Sequence, residues 1–194
     1  VNLEEVSLKL NSILNTQKSN QNFDEWDIDF LIDYITNTHH KYVESSILDI
    51  QPYADKVADV HGNQHPEVIE IAKLFKAISN ELIPHLRKEE LILFPNVKRM
   101  VLAKKNNESY APAPFGSVDN PISAMEHEHD GAGDIIKKMV KLSNNFQAPS
   151  DACNTYKVLY AKLEEFQNDL FQHIHLENNI LFPKAQELEK EMIS

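Results

Sequence analysis

With a single cysteine, Cys153, the 194-residue chain can form no internal disulfide. A reducing compartment, the cytoplasm, is the expected location. Glycine is scarce as well, with four in the whole chain, and the stretches between breaks read as helix formers. No uncharged apolar run approaches the ~18 residues needed to span a bilayer, and no signal-peptide pattern opens the chain. Cationic residues are outnumbered, 19 Lys and Arg against 30 Asp and Glu, for a formal net charge of −11. An acidic surface repels phosphate backbones and anionic lipid, so neither nucleic acid nor membrane is expected as a partner. What is present is 42% hydrophobic residues, enough to build the core of one domain.

The helical pattern divides the chain. Residues 1–25 hold one apolar phrase, Val6 to Leu14, and then a polar stretch, which reads as a short helix and linker. Residues 26–194 form the body. A first helix is predicted from about Asp27 to Val60, bent at Pro52, with Gly62 as its C-cap. Pro66 suits the first turn of a second, which runs to about Lys104 with kinks at Pro84 and Pro95. Pro112, Pro114 and Gly116 mark the segment from Asn106 to Pro121 as a loop. A third helix is predicted from about Ile122 to Leu142 and a fourth from about Ala152 to Glu191. Four long helices on one chain imply an all-α four-helix bundle.

An internal repeat carries the chemistry. Residues 85–95 read HLRKEELILFP and residues 173–183 read HIHLENNILFP. Each copy is a His, three residues, a Glu, and a shared Ile-Leu-Phe-Pro, and each follows another histidine at similar range, His40 and His129. The chain thus reads as two repeated helical hairpins. In the fourth helix the apolar stripe runs Tyr156, Leu159, Leu163, Phe166, Leu170, His173, Glu177, Ile180, in alternating steps of three and four. His173 and Glu177 therefore sit at core positions. The second helix places His85, Glu89 and then Ile92 on its stripe, and the third places His129 there. Glu90, Glu126, His127 and Glu128 fall off the stripes and are expected at the surface. In the first helix a stripe through His40 and a rival through His39 are nearly equal, and spacing does not separate them.

Isolated buried charges cost several kcal/mol, so two glutamates and four histidines in one core call for cations. A His and a Glu at i and i+4 share a helix face about 6 Å apart and can reach the same or neighbouring metals. Six ligands exceed a tetrahedral zinc site. Imidazole and carboxylate without thiolate suit iron or manganese. Carboxylates can bridge two metals, and the repeat suggests one metal per hairpin, with Glu89 and Glu177 bridging. A bundle with no metal is the plain alternative. His39, His127 and His175 read as solvent-facing or supporting, Phe94 and Phe182 as core, His65 as a turn residue. His61, at a helix junction, keeps open a role near the metals. Cys153, near a helix start, reads as a small buried or half-exposed side chain rather than a reactive thiol.

The paired phrases resemble a known family. His39-His40, KVADVHG at 56–62 with His65-Pro66-Glu67, the two repeat copies, and MEHEHDGAG at 125–133 are similar to the repair-of-iron-centres proteins, a hemerythrin-like group, over about residues 27–190. The resemblance implies a hemerythrin-like four-helix bundle with a non-haem di-iron centre on His40, His85, Glu89, His129, His173 and Glu177, so that His40 is taken over His39. It implies two iron ions, bridged by carboxylates and by an oxo or hydroxo group, and a role in iron–sulfur cluster repair under nitrosative or oxidative stress. Nitric oxide or dioxygen would be the small ligands and damaged iron–sulfur proteins the clients. Full-length members carry a small N-terminal domain with a cysteine pair, and residues 1–25 resemble only the segment that follows it. Dioxygen binding or sensing, as in other hemerythrins, is the second reading. Ferritin-like oxidase sites use Glu-x-x-His pairs, which the His-x-x-x-Glu spacing here argues against.

Overall fold

A computed structural model describes residues 22–193. The expected helix at Val6–Leu14 lies outside the described residues. After a single 3₁₀ turn at Phe23–Glu25, four helical rods follow. The first joins α1 (Ile28–Ile35) through a π-turn at Thr36–His40 to α2 (Lys41–His61). The second joins α3 (Glu67–Lys88) through a π-turn at Glu89–Leu93 to α4 (Phe94–Asn106). The third is the uninterrupted α5 (Asp119–Leu142). The fourth joins α6 (Asn154–Leu176) through a π-turn at Glu177–Leu181 to α7 (Phe182–Ile193). Among the described residues there is no strand, only an isolated bridge between Ala113 and Gly116. No helix among them is long and apolar enough to cross a membrane.

The π-turns explain two features that a plain helical period does not. Proline lacks an N–H, and its ring crowds the carbonyl four residues back. In both repeat copies the wider turn ends just before Phe-Pro, so that Pro95 and Pro183 enter as second residues of α4 and α7. The inserted residue also shifts the phase. Ile92, expected on the core stripe, is 46% exposed, and Leu93 is buried instead at 2%. In the first rod the π-turn faces two consecutive residues inward, and both His39 and His40 are buried.

Pro52 and Pro84 lie inside α2 and α3 without ending them. Gly62 takes the C-cap position of α2 with its N–H on the Ala58 carbonyl, 3.0 Å away, but its φ of −59° is ordinary right-handed backbone. Space is what demands glycine there. A Cβ would lie 2.4 Å from the Ala58 oxygen and 2.7 Å from the Ile69 side chain. Gly62→Ala is expected to lower stability by about 1–3 kcal/mol, the usual cost of overpacking, read from thermal or denaturant unfolding.

Two apolar clusters fill the bundle. One joins α2, α3, α5 and α6 through residues such as Val43, Phe75, Ile136 and Phe166. The other joins α1, α4, α7 and the start of α5 through Ile35, Val97, Met125 and Phe182. Along α5 the order is plain: Ile122 and Met125 belong to one cluster, Ala132 and Ile136 to the other, and His129 stands between. The same break recurs in the other three rods at the π-turns. A buried polar layer thus separates two apolar cores.

Candidate metal centre

That layer brings together His40, His85, Glu89, His129, His173 and Glu177, all at most 4% exposed. Each histidine turns its Nε2 inward. Glu177 lies 3.1 Å from His173 Nε2, 3.3 Å from His129 Nε2 and 3.7 Å from His40 Nε2. Glu89 lies 3.4 Å from His85 Nε2 and 3.5 Å from His40 Nε2. Two four-residue sets emerge whose donor atoms fall within 4.8 Å of one another: His40, Glu89, His173, Glu177, and His85, Glu89, His129, Glu177. Both carboxylates belong to both sets. The expected division of one metal per hairpin does not hold, because each set draws one imidazole from each hairpin. Rods packed side by side, the first with the fourth and the second with the third, supply the paired rings.

The electrostatics are those of a network built around positive charge. Burial, and then the neighbouring Glu177, pushes the Glu89 carboxyl well above its usual range. Burial opposes ionisation of Glu177 too, but His173, His129 and His40 outweigh it and hold that carboxyl well below its usual range. His85 is pushed down to about 4, chiefly by burial, and burial also lowers His173. His40 and His129 rise against burial because Glu177 holds their protonated forms. Both oxygens of Glu89 and of Glu177, with Nε2 of His40 and of His173, are buried without a hydrogen-bond partner. Buried polar atoms left so are rare. A set of them converging on shared points fits a cation. The donors are imidazole and carboxylate with no thiolate, a set suited to iron or manganese.

A family model described as the Hemerythrin HHE cation binding domain matches residues 31–185. The chain belongs to this family. Among curated relatives of this hemerythrin HHE protein is a "Probable iron-sulfur cluster repair protein" of Haemophilus influenzae, 36% identical over 95% of the chain and 78% of that protein. Two others are named "Iron-sulfur cluster repair protein YtfE". The one from Musicola paradisiaca is 38% identical over 80% of the chain and 64% of its own length. The one from Pectobacterium atrosepticum is 34% identical over 95% of the chain and 78% of its own length.

Around the six inward groups, the hemerythrin HHE fold sets an outer layer that the stripe reading missed. Glu90 Oε1 lies 2.9 Å from His40 Nδ1, and the other Glu90 oxygen meets Arg87, which also binds Glu44. Glu128 Oε2 lies 2.8 Å from His85 Nδ1, with Lys88 on its other oxygen. Asn178 Oδ1 lies 2.7 Å from His129 Nδ1. Glu90 and Glu128 therefore correct the surface reading: they are half-buried and hold the rings. The sequence signal was adjacency, since Glu90 follows Glu89, Glu128 precedes His129 and Asn178 follows Glu177. Glu90→Ala, expected to be neutral had Glu90 stood free at the surface, is now expected to lower metal affinity roughly 10-fold, as loss of such a partner typically does, measured by competition with a chelator.

His39 does not face solvent. It is buried, with Nδ1 2.9 Å from Asp169 Oδ1, and stacks on His173 with ring centroids 5.7 Å apart. His127 and His175 are exposed, and His175 pairs with Asn179. His61 belongs to neither set. Its Nε2 lies 3.1 Å from Cys153 Sγ, and its ring packs on Tyr156 at the far end of α2. His65 pairs with Asp151 and Glu67 beside it.

Proposed function

We propose that this chain is an iron–sulfur cluster repair protein that uses two iron ions, one on His40 and His173, the other on His85 and His129, with Glu89 and Glu177 shared. The observation that carries this reading is the overlap of the two donor sets. Four imidazoles in two pairs share both carboxylates, and a single ion cannot use both pairs. The relatives named for cluster repair align along 95% of the chain, which supports the client class. Iron bound there would supply a redox-active ion able to bind nitric oxide or to be passed to a damaged cluster. Glu89 and Glu177 would balance the cationic charge. Glu90, Glu128 and Asn178 hold protons on Nδ1 so that Nε2 stays free as a donor. The apolar clusters on both sides limit the entry of water. The action would take place in the cytoplasm under nitrosative or oxidative stress.

Protein purified from iron-replete cells is expected to carry about two irons per chain, the count of the two-ion reading. The reduced form is expected to change its absorption spectrum on addition of nitric oxide and to speed reactivation of a nitric-oxide-damaged iron–sulfur enzyme. Zinc at full occupancy, or a reproducible single ion, contradicts the two-iron reading. A loaded protein that reactivates nothing but binds dioxygen reversibly would support the oxygen-binding reading instead.

A further inference from the structure

Three of the four inward imidazoles have a partner behind them, and one does not. Glu90, Glu128 and Asn178 stand on Nδ1 of His40, His85 and His129. His173 Nδ1 is buried and meets no acceptor. Stacking on His39 holds the plane of its ring, but nothing fixes which nitrogen carries the proton. An acceptor on the far nitrogen sets the tautomer and raises the basicity of the near one, and its loss typically weakens metal affinity 10–100-fold. The two sets are therefore unequal. In His85 and His129 both rings are anchored. In His40 and His173 only one is.

A second observation points to the same pair. A surface hollow lined by Ile32, Asp33, Thr36, Glu90, Phe94, Pro95 and Lys98 lies directly behind His40. Glu90 hydrogen-bonds the His40 ring, and Phe94 stacks on it with centroids 5.6 Å apart. One layer of side chains, two of them in contact with His40, separates this position from the outside. Asp33 and Glu90 line the hollow as well, Asp33 paired with Lys98 and Glu90 with His40 and Arg87.

We propose that the His40/His173 position is the exchangeable one: its metal ion loads last and leaves first, on the side of the Asp33–Glu90 hollow, while the His85/His129 ion stays. This rests on the two-ion reading above and adds an order to it. The test uses the iron-loaded full chain and an excess of a ferrous chelator, with release followed by absorbance. Two phases of one iron each are expected. Asn178→Ala leaves the second set with one anchored ring, like the first. It is expected to speed the slow phase roughly 10-fold or more and bring it toward the fast one, while Asn178→Asp, which keeps an acceptor, preserves the slow phase. Metal content gives an independent readout. His173→Ala should retain one tightly held iron, and His85→Ala should retain none held that tightly. Release of both irons in one phase from the unaltered protein, or the reverse pattern in the two histidine variants, overturns the proposal. A chain that holds no iron defeats the two-ion reading itself, which metal analysis before the chelator is added distinguishes.

Discussion

Replacing Glu177 with leucine is expected to reduce bound iron from about two ions per chain to nearly none, as the two-ion reading requires of a shared ligand. Glu177 belongs to both donor sets and lies within 3.7 Å of three imidazoles. No single histidine has that reach. The metal-free protein should suffer as well, because the substitution leaves His40, His129 and His173 without the anion that pairs with them. Breaking a buried pair on one side costs about 3–5 kcal/mol. Glu89→Leu should abolish loading equally but act on the metal-free fold with the opposite sign. Burial and the charge of Glu177 disfavour its ionised form, so an apolar side chain there relieves a cost. Metal analysis and unfolding curves of the two variants, beside His127→Ala as a solvent-exposed control, decide the matter. Retention of one full-strength iron by Glu177→Leu would show that the carboxylate is not shared.

Removal of iron should lower the melting temperature by about 10–20 °C at neutral pH. Two ions, each at roughly a hundred times its dissociation constant, contribute about 5 kcal/mol, and a chain of this size shifts by about 2–4 °C per kcal/mol. The pH dependence of the metal-free form follows from its own groups. Burial pushes His85 down to about 4 in the fold, against 6.5 for an ordinary imidazole, so the unfolded chain takes up its proton first. Stability is then lost as pH falls from about 6.5 toward 4. Glu177, held low in the fold, also loses its contribution as pH falls from 4.5 downward. Glu89, held high, acts oppositely and costs stability as pH rises above 4.5. Bound cations keep both carboxylates ionised and the rings neutral, which removes the Glu89 cost. The gap between loaded and metal-free melting temperatures should therefore widen as pH rises from about 4.5 to 7. A gap that narrows over that range would contradict the buried network.

The bundle and the inward set were legible for a simple reason. Helical period is a strong signal over rods of this length, and a His or Glu in phase with a long apolar stripe is conspicuous. Three things were not legible. The choice of His40 over His39 could not come from a regular period, because the π-turn at Thr36–His40 breaks that period and buries both. The pairing of rings across hairpins depends on which rods face each other, which a repeat does not encode. Glu90 and Glu128 looked like surface residues because they lie one position off the stripe. Where rods pack side by side, that offset aims a side chain at the back of a ring on the neighbouring rod, Glu90 at His40 and Glu128 at His85, rather than at solvent. Gly62 was placed at the right position for the wrong reason, since crowding against Ala58 and Ile69 is invisible in a local pattern.

The π-turns behave like frameshifts written into the fold. Each adds one residue to its rod, so everything downstream keeps its contacts only in the shifted frame. Deleting the exposed Leu91 would restore an ordinary helix and improve its local hydrogen bonding. It would also rotate α4 by about 100°, one residue of helical turn. Phe94, Val97 and Met100 would leave the core together, and Pro95 would regain its clash with the preceding turn. Compensation by an insertion elsewhere in the same rod can work only before α4 begins to pack, a window a few residues long. Insertions and deletions near Thr36–His40, Glu89–Leu93 and Glu177–Leu181 should thus be the least tolerated in the chain, while changes of length between α4 and α5, where no frame is shared, should pass. A deletion scan scored by soluble yield and iron content would map the three frames directly.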